Sequence, residues 1–254
     1  MAEPDKLDYR CSPHRIFTLI SHMNGGQKEM LKELGFGTLL GMRDCNLRKN
    51  LIFWLLSRFN VDDGSLDVHG KHFKLDSKVF SATMGVNDGV EDLQRHGNPV
   101  EQPFYKKGEK NTVSLLEEKL RRRELVDMSF VRQFLLFFVS VFLLPNTSLH
   151  VAREVEGPIM SLTDVAAVCR VNWASMAYTH IWKSIRRYHG KASKFVGGCV
   201  YFLQVFYCHH IIWKEGYVDR SLCPIGFWCD DDTKALLDWV EEEGGFESNT
   251  VSMG

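Results

Sequence analysis

The chain has 254 residues, of which 44% are hydrophobic and 25% are charged, and its formal net charge is −1. This length and composition predict a globular protein with a sizeable core, built as one large domain or two small ones. A net charge so close to zero excludes a general attraction to nucleic acids or membranes, so such binding would need a local basic patch.

The cysteines and the N-terminal segment favour an intracellular protein. The chain has seven cysteines, an odd number, and its first residues, MAEPDKLDYRCSP, lack the apolar run of a signal peptide. Reduced thiols are therefore expected. The apolar run at residues 134–144 is much shorter than the about 20 residues of a membrane-spanning helix. We expect it to form a buried core helix and expect no membrane span.

The first part of the chain predicts an arm followed by two helices. Residues 1–15 are expected to form a flexible N-terminal arm. Asn24 is placed to cap a helix, with Gln27 completing a capping box and Gly35 ending the helix. Apolar residues at helical spacing predict a second helix over residues 46–59.

The period of the apolar residues then changes from helical to alternating. Apolar and polar residues alternate over 66–75, interrupted by the turn residues His69-Gly70-Lys71, which predicts a small β-hairpin. Asp76 or Ser77 is expected to cap a short helix that Gly85 closes.

Residues 87–111 are rich in Gly, Asn, Pro and charge, and we interpret them as either a mobile loop or a seam between two lobes. The helices predicted after this segment cover 112–124, 128–144, 161–169, 172–190 with Asn172 as the cap, an apolar helix that starts at Gly197-Gly198, and 231–243. The fold class is therefore mainly α, a compact multi-helix domain with one small β-hairpin. The domain spans residues 16–245 and is followed by a polar tail at 246–254.

Two basic groups are candidate nucleic-acid contacts. The first surrounds Tyr188 and His189, and the second is Arg121-Arg122-Arg123. Arginine can pair with phosphates and tyrosine can stack on a base. The simpler interpretation is a solvated helix end, where cations stabilise the helix dipole. The first group consists of Lys183, Arg186, Arg187, Lys191 and Lys194.

Cysteines and histidines cluster near the end of the chain, but their spacing is not typical of a zinc site. No pair has the two-to-four-residue spacing of a zinc knuckle, and the adjacent Cys208 and His209 point in different directions on a helix. We expect no metal and no cofactor, and we interpret the cysteines as small core residues. A thiol nucleophile is an alternative for which no local signature exists. The cluster comprises Cys199, Cys208, His209, His210, Cys223 and Cys229.

Two further patterns have simple structural explanations. The glycines of residues 35–41 do not have the spacing of a dinucleotide-binding loop and follow a helix. Asp230-Asp231-Asp232 could hold a divalent cation, but three acids at the start of a helix also complement its dipole. Four tryptophans at apolar helix positions are interpreted as core, or as the lining of a protein-binding groove: Trp54, Trp173, Trp182 and Trp213.

Several segments resemble the plant mobile domain, also called the aminotransferase-like plant mobile domain. The resemblance covers about residues 16–245, and the closing segment CPIGFW has Ile225 where the family often has arginine. A similar region precedes Ulp1-type cysteine peptidase domains in transposon-derived plant genes. The matching segments are HMNGGQKEMLKELGFGTLLGM, LIFWLLSRFNVDDGSLDVHGKHFKLDSKVFSATMGV, FLLFFVSVFLLPNTS, NWASMAYTHIW and KFVGGCVYFLQVFYCHH.

The resemblance implies a non-enzymatic, transposon-derived plant module that acts in the nucleus by binding a protein partner. Aminotransferase chemistry is not expected, because no lysine lies in a setting suited to a pyridoxal Schiff base. Nucleic-acid binding through the basic groups is the second hypothesis. The third is that the chain is the non-catalytic N-terminal part of a Ulp1-like cysteine peptidase gene.

Overall fold

The computed structural model describes residues 7–96, 112–147, 150–151, 153–214 and 216–254. This described part contains twelve α-helices and three short β-strands. The expected fold class, mainly α with one small hairpin, is therefore confirmed.

Four helices and the three strands come before residue 85. The capping box at Asn24 forms as predicted, because its side chain accepts from the Gln27 amide at 2.9 Å and the Gln27 side chain accepts from the Asn24 amide at 3.0 Å. Asp76 caps the fourth helix. The elements are α1 (Pro13–Ser21), α2 (Gly25–Glu33), α3 (Lys49–Ser57), β1 (Phe59–Asn60), β2 (Ser65–Val68), β3 (Lys71–Lys74) and α4 (Ser77–Met84).

The strands form one antiparallel sheet in the order β1-β2-β3. Leu66 of β2 pairs with Phe59 of β1 and with Phe73 of β3. His69 and Gly70 turn the β2–β3 hairpin with φ values of 47° and 72°, the left-handed conformation that tight two-residue hairpin turns use. The predicted hairpin is therefore present, and the two-residue strand β1 extends it.

The remaining eight helices form the larger part of the molecule. α6 continues through a wider helical turn at Val139–Leu143 and stops before Pro145, as predicted for this apolar run. The helices are α5 (Val113–Arg121), α6 (Met128–Phe138), α7 (Arg153–Met160), α8 (Val165–Arg170), α9 (Trp173–His189), α10 (Tyr201–His210), α11 (Pro224–Phe227) and α12 (Asp230–Glu242).

The core is centred on α6 and α10, whose side chains are almost all buried. Phe134, Phe138 and Phe142 stack along α6 and the turn that follows, with ring centroids 5.7 and 5.5 Å apart. α10 packs against α3, α4 and α11, and α9 packs against α4. Over the described residues, every helix is too short or too polar to cross a bilayer.

Both ends of the described chain are packed on this core, which differs from the expected flexible arm and polar tail. In the arm, residues 1–6 lie outside the described part, but Leu7 and Cys11 are buried and the Asp8 amide donates to the Lys194 carbonyl at 3.2 Å. In the tail, Val251 and Met253 are buried in the core. In both segments a few apolar residues among polar ones pack on the core. Such short segments show no periodicity, so the sequence did not predict that they are packed.

Two helices start later than the sequence predicted. α3 starts at Lys49 rather than Asn46, because the amides of Asn46 and Arg48 donate to side chains of distant residues, Asp230 and Gln204. α10 starts at Tyr201 rather than at the glycine pair, because Gly198 has a φ of +88° and packs against the backbone of Ile181.

Candidate functional site

The five cations predicted as nucleic-acid contacts lie at the C-terminal end of α9 and in the turn after it. Arg186 is partly used within the fold, since it donates to the Val61 carbonyl at 3.1 Å and lies over the Trp182 ring at 5.7 Å. The other four make no ion pair with any residue that the structure describes. All five are exposed: Lys183, Arg186, Arg187, Lys191 and Lys194.

The second basic group is neutralised within the fold. Each arginine of the run 121–123 pairs with a carboxylate four residues away along the chain, at 2.7, 2.6 and 2.7 Å. The acids are Glu117, Glu118 and Asp127, and Glu117 also pairs with Arg15 at 2.6 Å. These arginines are therefore much less available to phosphates than the cations of α9.

A cleft of about 290 Å³ runs along the polar face of α9. The side chains that α9 contributes recur at spacings of three and four residues, which places them on one face of the helix. Leu144 and the segment 92–94 form the opposite wall. The residues on this side of the cleft, from the one before α9 onwards, are Asn172, Ser175, Met176, Thr179, His180 and Lys183.

The start of α9 is fixed by a residue far away in the sequence. The Asp88 carboxylate accepts from the Ser175 amide at 2.8 Å and from the Ser175 hydroxyl at 2.9 Å. The Asn172 side chain makes no capping hydrogen bond, although the sequence predicted it as the cap. Asp88 therefore supplies the carboxylate that an N-terminal cap normally provides locally.

The opposite wall of the cleft is held by backbone hydrogen bonds. The Asn172 amide donates to the Glu91 carbonyl at 2.8 Å, and the Gly89 amide donates to the Val171 carbonyl at 3.1 Å. A Cβ at Gly89 would lie 2.1 Å from the Arg170 carbonyl oxygen, so only glycine allows this approach. Residues 87–96 of the predicted loop or seam are thus firmly attached, whereas 97–111 lie outside the described residues.

His180 lies in the cleft with its ring partly buried, and it makes no hydrogen bond within the described structure. Burial lowers the pKa of its imidazole, the charge of Arg187 lowers it further, and Glu154 opposes both effects. The ring is therefore neutral at physiological pH and can donate one hydrogen bond and accept another.

A second concave surface is apolar and lies after α10. A groove of about 360 Å³ is lined mainly by Ile211, Ile212, Trp213 and Val218, with Lys214 and Arg220 also in its wall. The same segment exposes three large apolar side chains: Ile212 is 51% exposed, Tyr217 42% and Leu222 52%. We call residues 211–214 and 216–222 the apolar surface.

The cations of the apolar surface have no acidic partner among the described residues. The Lys214 ammonium lies over the rings of Trp213 and Tyr217, 4.6 and 5.8 Å from their centroids. Arg220 donates to the His209 carbonyl at 2.9 Å. This surface therefore combines exposed apolar groups with positive charge.

Residues 9–204 match the sequence model of a family described as "Domain of unknown function (DUF8566)". This match covers more than half of the chain. The chain belongs to the DUF8566 family. No curated protein and no solved structure matches it.

The residues matched by the DUF8566 model include the α9 cleft but not the apolar surface. The whole α9 cleft, from Asp92 to Lys183, lies within residues 9–204, whereas the apolar surface lies after them. The two surfaces are therefore separable in sequence, and each can be altered without changing the other.

The cysteines of the DUF8566 chain are distributed through the structure. Cys199 lies beside Cys11, Cys208 is buried within α10, and the Cys229 thiol donates to Asp232 at 2.9 Å. Among the described residues, no three of the His, Cys, Asp and Glu side chains are grouped so that they could hold a metal ion. Burial raises the pKa of six thiols, which disfavours the nucleophilic thiolate: those of Cys45, Cys169, Cys199, Cys208, Cys223 and Cys229.

The acidic run at residues 230–232 forms the first turn of α12 and is bound to arginines. Asp230 pairs with Arg48 at 2.9 Å, and Asp232 pairs with Arg43 at 2.7 Å. These contacts attach the segment before α3 to α12, so two of the three acids have a structural role.

A third cleft, of about 330 Å³, lies beside the hairpin. Several of its polar groups bind each other, because Arg58 pairs with Glu247 and the His72 ring is hydrogen-bonded to Asp67. Trp54 is stacked on Phe246 with ring centroids 5.0 Å apart. Compared with the α9 cleft, this cleft offers fewer unpaired polar groups to a ligand.

The sequence predictions included Lys183 but missed the rest of the α9 cleft. The spacing of residues 172–183 places them on one helix face and could have been noticed. The opposite wall comes from Asp92 and Gln94, some eighty residues earlier, and no local pattern links these segments. The exposed Ile212 and Leu222 were also missed, since apolar residues in sequence are most often buried.

Proposed function

We propose that this DUF8566 chain is a non-enzymatic binding module that docks a protein partner on its apolar surface. In agreement with the resemblance to the plant mobile domain, we propose a transposon-derived origin and a nuclear location. The observation that carries the proposal is the exposure of Ile212, Tyr217 and Leu222 within one short segment next to an apolar groove. Exposed apolar surface of this kind is typical of protein interaction sites.

The partner is an acidic peptide segment with an apolar anchor. The groove is small and mainly apolar, which suits one or two aliphatic or aromatic side chains. Lys214 and Arg220 lack acidic partners among the described residues, so carboxylates beside the anchor would complement them. Such charges increase the rate and the specificity of association.

A peptide selection tests this proposal. A random peptide library is selected on the wild-type chain, and the enriched peptides are measured against Ile212→Asp/Leu222→Asp. We expect peptides with aromatic or aliphatic anchors flanked by acids, and a loss of affinity of at least about tenfold in the double variant. The matched control is Val90→Asp/Leu125→Asp, which makes the same change at two exposed apolar residues elsewhere.

Two results would contradict the proposal. One is an equal loss of affinity in the two double variants. The other is a set of peptides that bind Ile212→Asp/Leu222→Asp as tightly as they bind the wild-type chain. A thermal unfolding curve of each variant shows that it is folded before binding is compared.

A second candidate function, nucleic-acid binding, is supported by the exposed cations of α9. Lys183, Arg187, Lys191 and Lys194 make no ion pair with the described residues, and Arg186 is also exposed. The variant Arg186→Glu/Arg187→Glu reverses two charges of the basic group and leaves the apolar surface unchanged. It should therefore abolish nucleic-acid binding without affecting protein binding. A binding constant that falls steeply with salt would support it.

A further inference from the structure

The α9 cleft contains four polar side chains without partners among the described residues. Asn172, Thr179, His180 and Lys183 face it from one side of α9, and none of these four side chains makes a hydrogen bond or ion pair within the described structure. The helix that carries them is held in place, since Asp88 caps it and the opposite wall is bonded to its start. A fixed, concave surface with free donors is typical of a small-molecule site.

The charges of the cleft differ between its two ends. Asp92 lies near the start of α9, because Glu91 receives the Asn172 amide. Lys183 is eleven residues after Asn172, which corresponds to about 16 Å along the axis of an α-helix. Arg187 is one turn beyond Lys183 on the same face of the helix, and its positive charge lowers the pKa of His180. One end of the cleft is thus acidic and the other is cationic.

We propose that the α9 cleft binds a phosphate monoester that also carries hydroxyl groups, such as a sugar phosphate or a nucleoside monophosphate. The phosphate lies at the cationic end of the cleft, which Lys183 lines and beyond which Arg187 follows, and it receives a hydrogen bond from the His180 ring. Lysine and arginine without acidic partners suit its double negative charge.

The other parts of the cleft determine what the phosphate is attached to. At the far end Asp92 accepts hydrogen bonds from hydroxyl groups, and the Asn172 amide can both donate and accept. Met176 and Leu144 cover an apolar face of the ligand between the two ends. A volume of about 290 Å³ admits a small metabolite and excludes a folded partner. This inference does not depend on the proposed function, which concerns a different surface.

Calorimetric titration of the full chain with glucose 6-phosphate and with adenosine 5′-monophosphate tests the inference. We expect saturable binding of at least one of them, and a clearly weaker interaction with glucose, which lacks the phosphate. Lys183→Met should weaken the binding about tenfold or more, because it removes one charged partner of the phosphate. Arg187→Met should have a similar effect.

Matched controls separate a site from general attraction to a basic surface. Lys191→Met and Lys194→Met remove the same charge from the same basic group outside the cleft, and we expect each to change the affinity less than about threefold. The ring resonances of His180 should shift during the titration, which locates the ligand independently of the variants.

Three outcomes would overturn the inference. They are no saturable binding of either phosphate ester, equal weakening by the cleft variants and the control variants, or binding of glucose as tight as that of glucose 6-phosphate. Because all four substituted side chains are exposed, the variants should fold, and matching circular dichroism spectra confirm that they do.

Discussion

His209 lies in the last turn of α10 with 6% of its surface exposed, and its Nδ1 atom has no hydrogen-bond partner. A helix C-terminus favours a positive charge, but burial opposes it here. Burial, followed by the nearby His210 and Arg220, lowers the pKa of His209 to about 4 from an ordinary 6.5. The cost of removing the charge from water therefore exceeds the stabilisation by the helix dipole.

We predict that the free energy of unfolding falls as the pH decreases from about 6.5 to about 4. In this range His209 is protonated in the unfolded chain but stays neutral in the folded protein. Above this range the contribution of His209 to stability is fully present. In His209→Phe the dependence of the melting temperature on pH should be shallower. Some dependence should remain, since burial also lowers the pKa of His69, His180 and His210. An unchanged pH dependence in the variant would contradict this explanation.

Cations of the same type have different roles in this molecule according to their neighbours. The arginines at 121–123 each have a carboxylate within reach, whereas Lys183 and Arg187 have none among the described residues. An exposed ion pair contributes little to stability, but it does neutralise the local field. The availability of a basic group therefore depends on pairing, which the count of charges in the sequence does not show.

At the scale of elements, α9 has its polar face on the cleft and its apolar face on α4. Its buried residues recur at helical spacing, from Trp173 to Ile185. The connection before it is fixed to residues 87–91, so the two walls of the cleft are parts of one rigid structure. This arrangement fixes the part of the α9 backbone from which the four unpartnered polar side chains extend.

The cap of α9 gives a direct test of this arrangement. Asp88→Ala removes both hydrogen bonds to Ser175 and should lower the free energy of unfolding by about 1 kcal/mol or somewhat more. Asn172→Ala is the matched control and should cost less, since its side chain forms no capping bond. Urea denaturation measures both values. A larger loss in Asn172→Ala would show that the local residue is the cap.

Local signals predicted the elements whose partners lie close in the chain. The capping box of Asn24 and Gln27, the β2–β3 hairpin and the stop of the α6 run before Pro145 depend on neighbouring residues. The Asp88 cap and the packed 246–254 segment depend on contacts over long distances in sequence. Propensity and periodicity contain no information about such contacts, and for the same reason the sequence predicted one residue of the cleft and missed its opposite wall.

On the scale of the whole molecule, the two proposed surfaces are separate and have different chemistry. The α9 cleft is polar, small and within the DUF8566 match, whereas the apolar surface is exposed and lies after that match. A binding module can use both, one for a small ligand and one for a partner. Variants that alter only one of the two surfaces can therefore show which surface binds the small ligand and which binds the protein partner.

We propose that the apolar surface binds a protein partner. Quantitative affinity capture from plant nuclear extract tests it most directly, using the wild-type chain, Ile212→Asp/Leu222→Asp, and Arg186→Glu/Arg187→Glu, each with and without nuclease. We predict partners that persist after nuclease and with the arginine variant but are lost with Ile212→Asp/Leu222→Asp. Partners that persist with Ile212→Asp/Leu222→Asp, or that nuclease removes, would contradict the account.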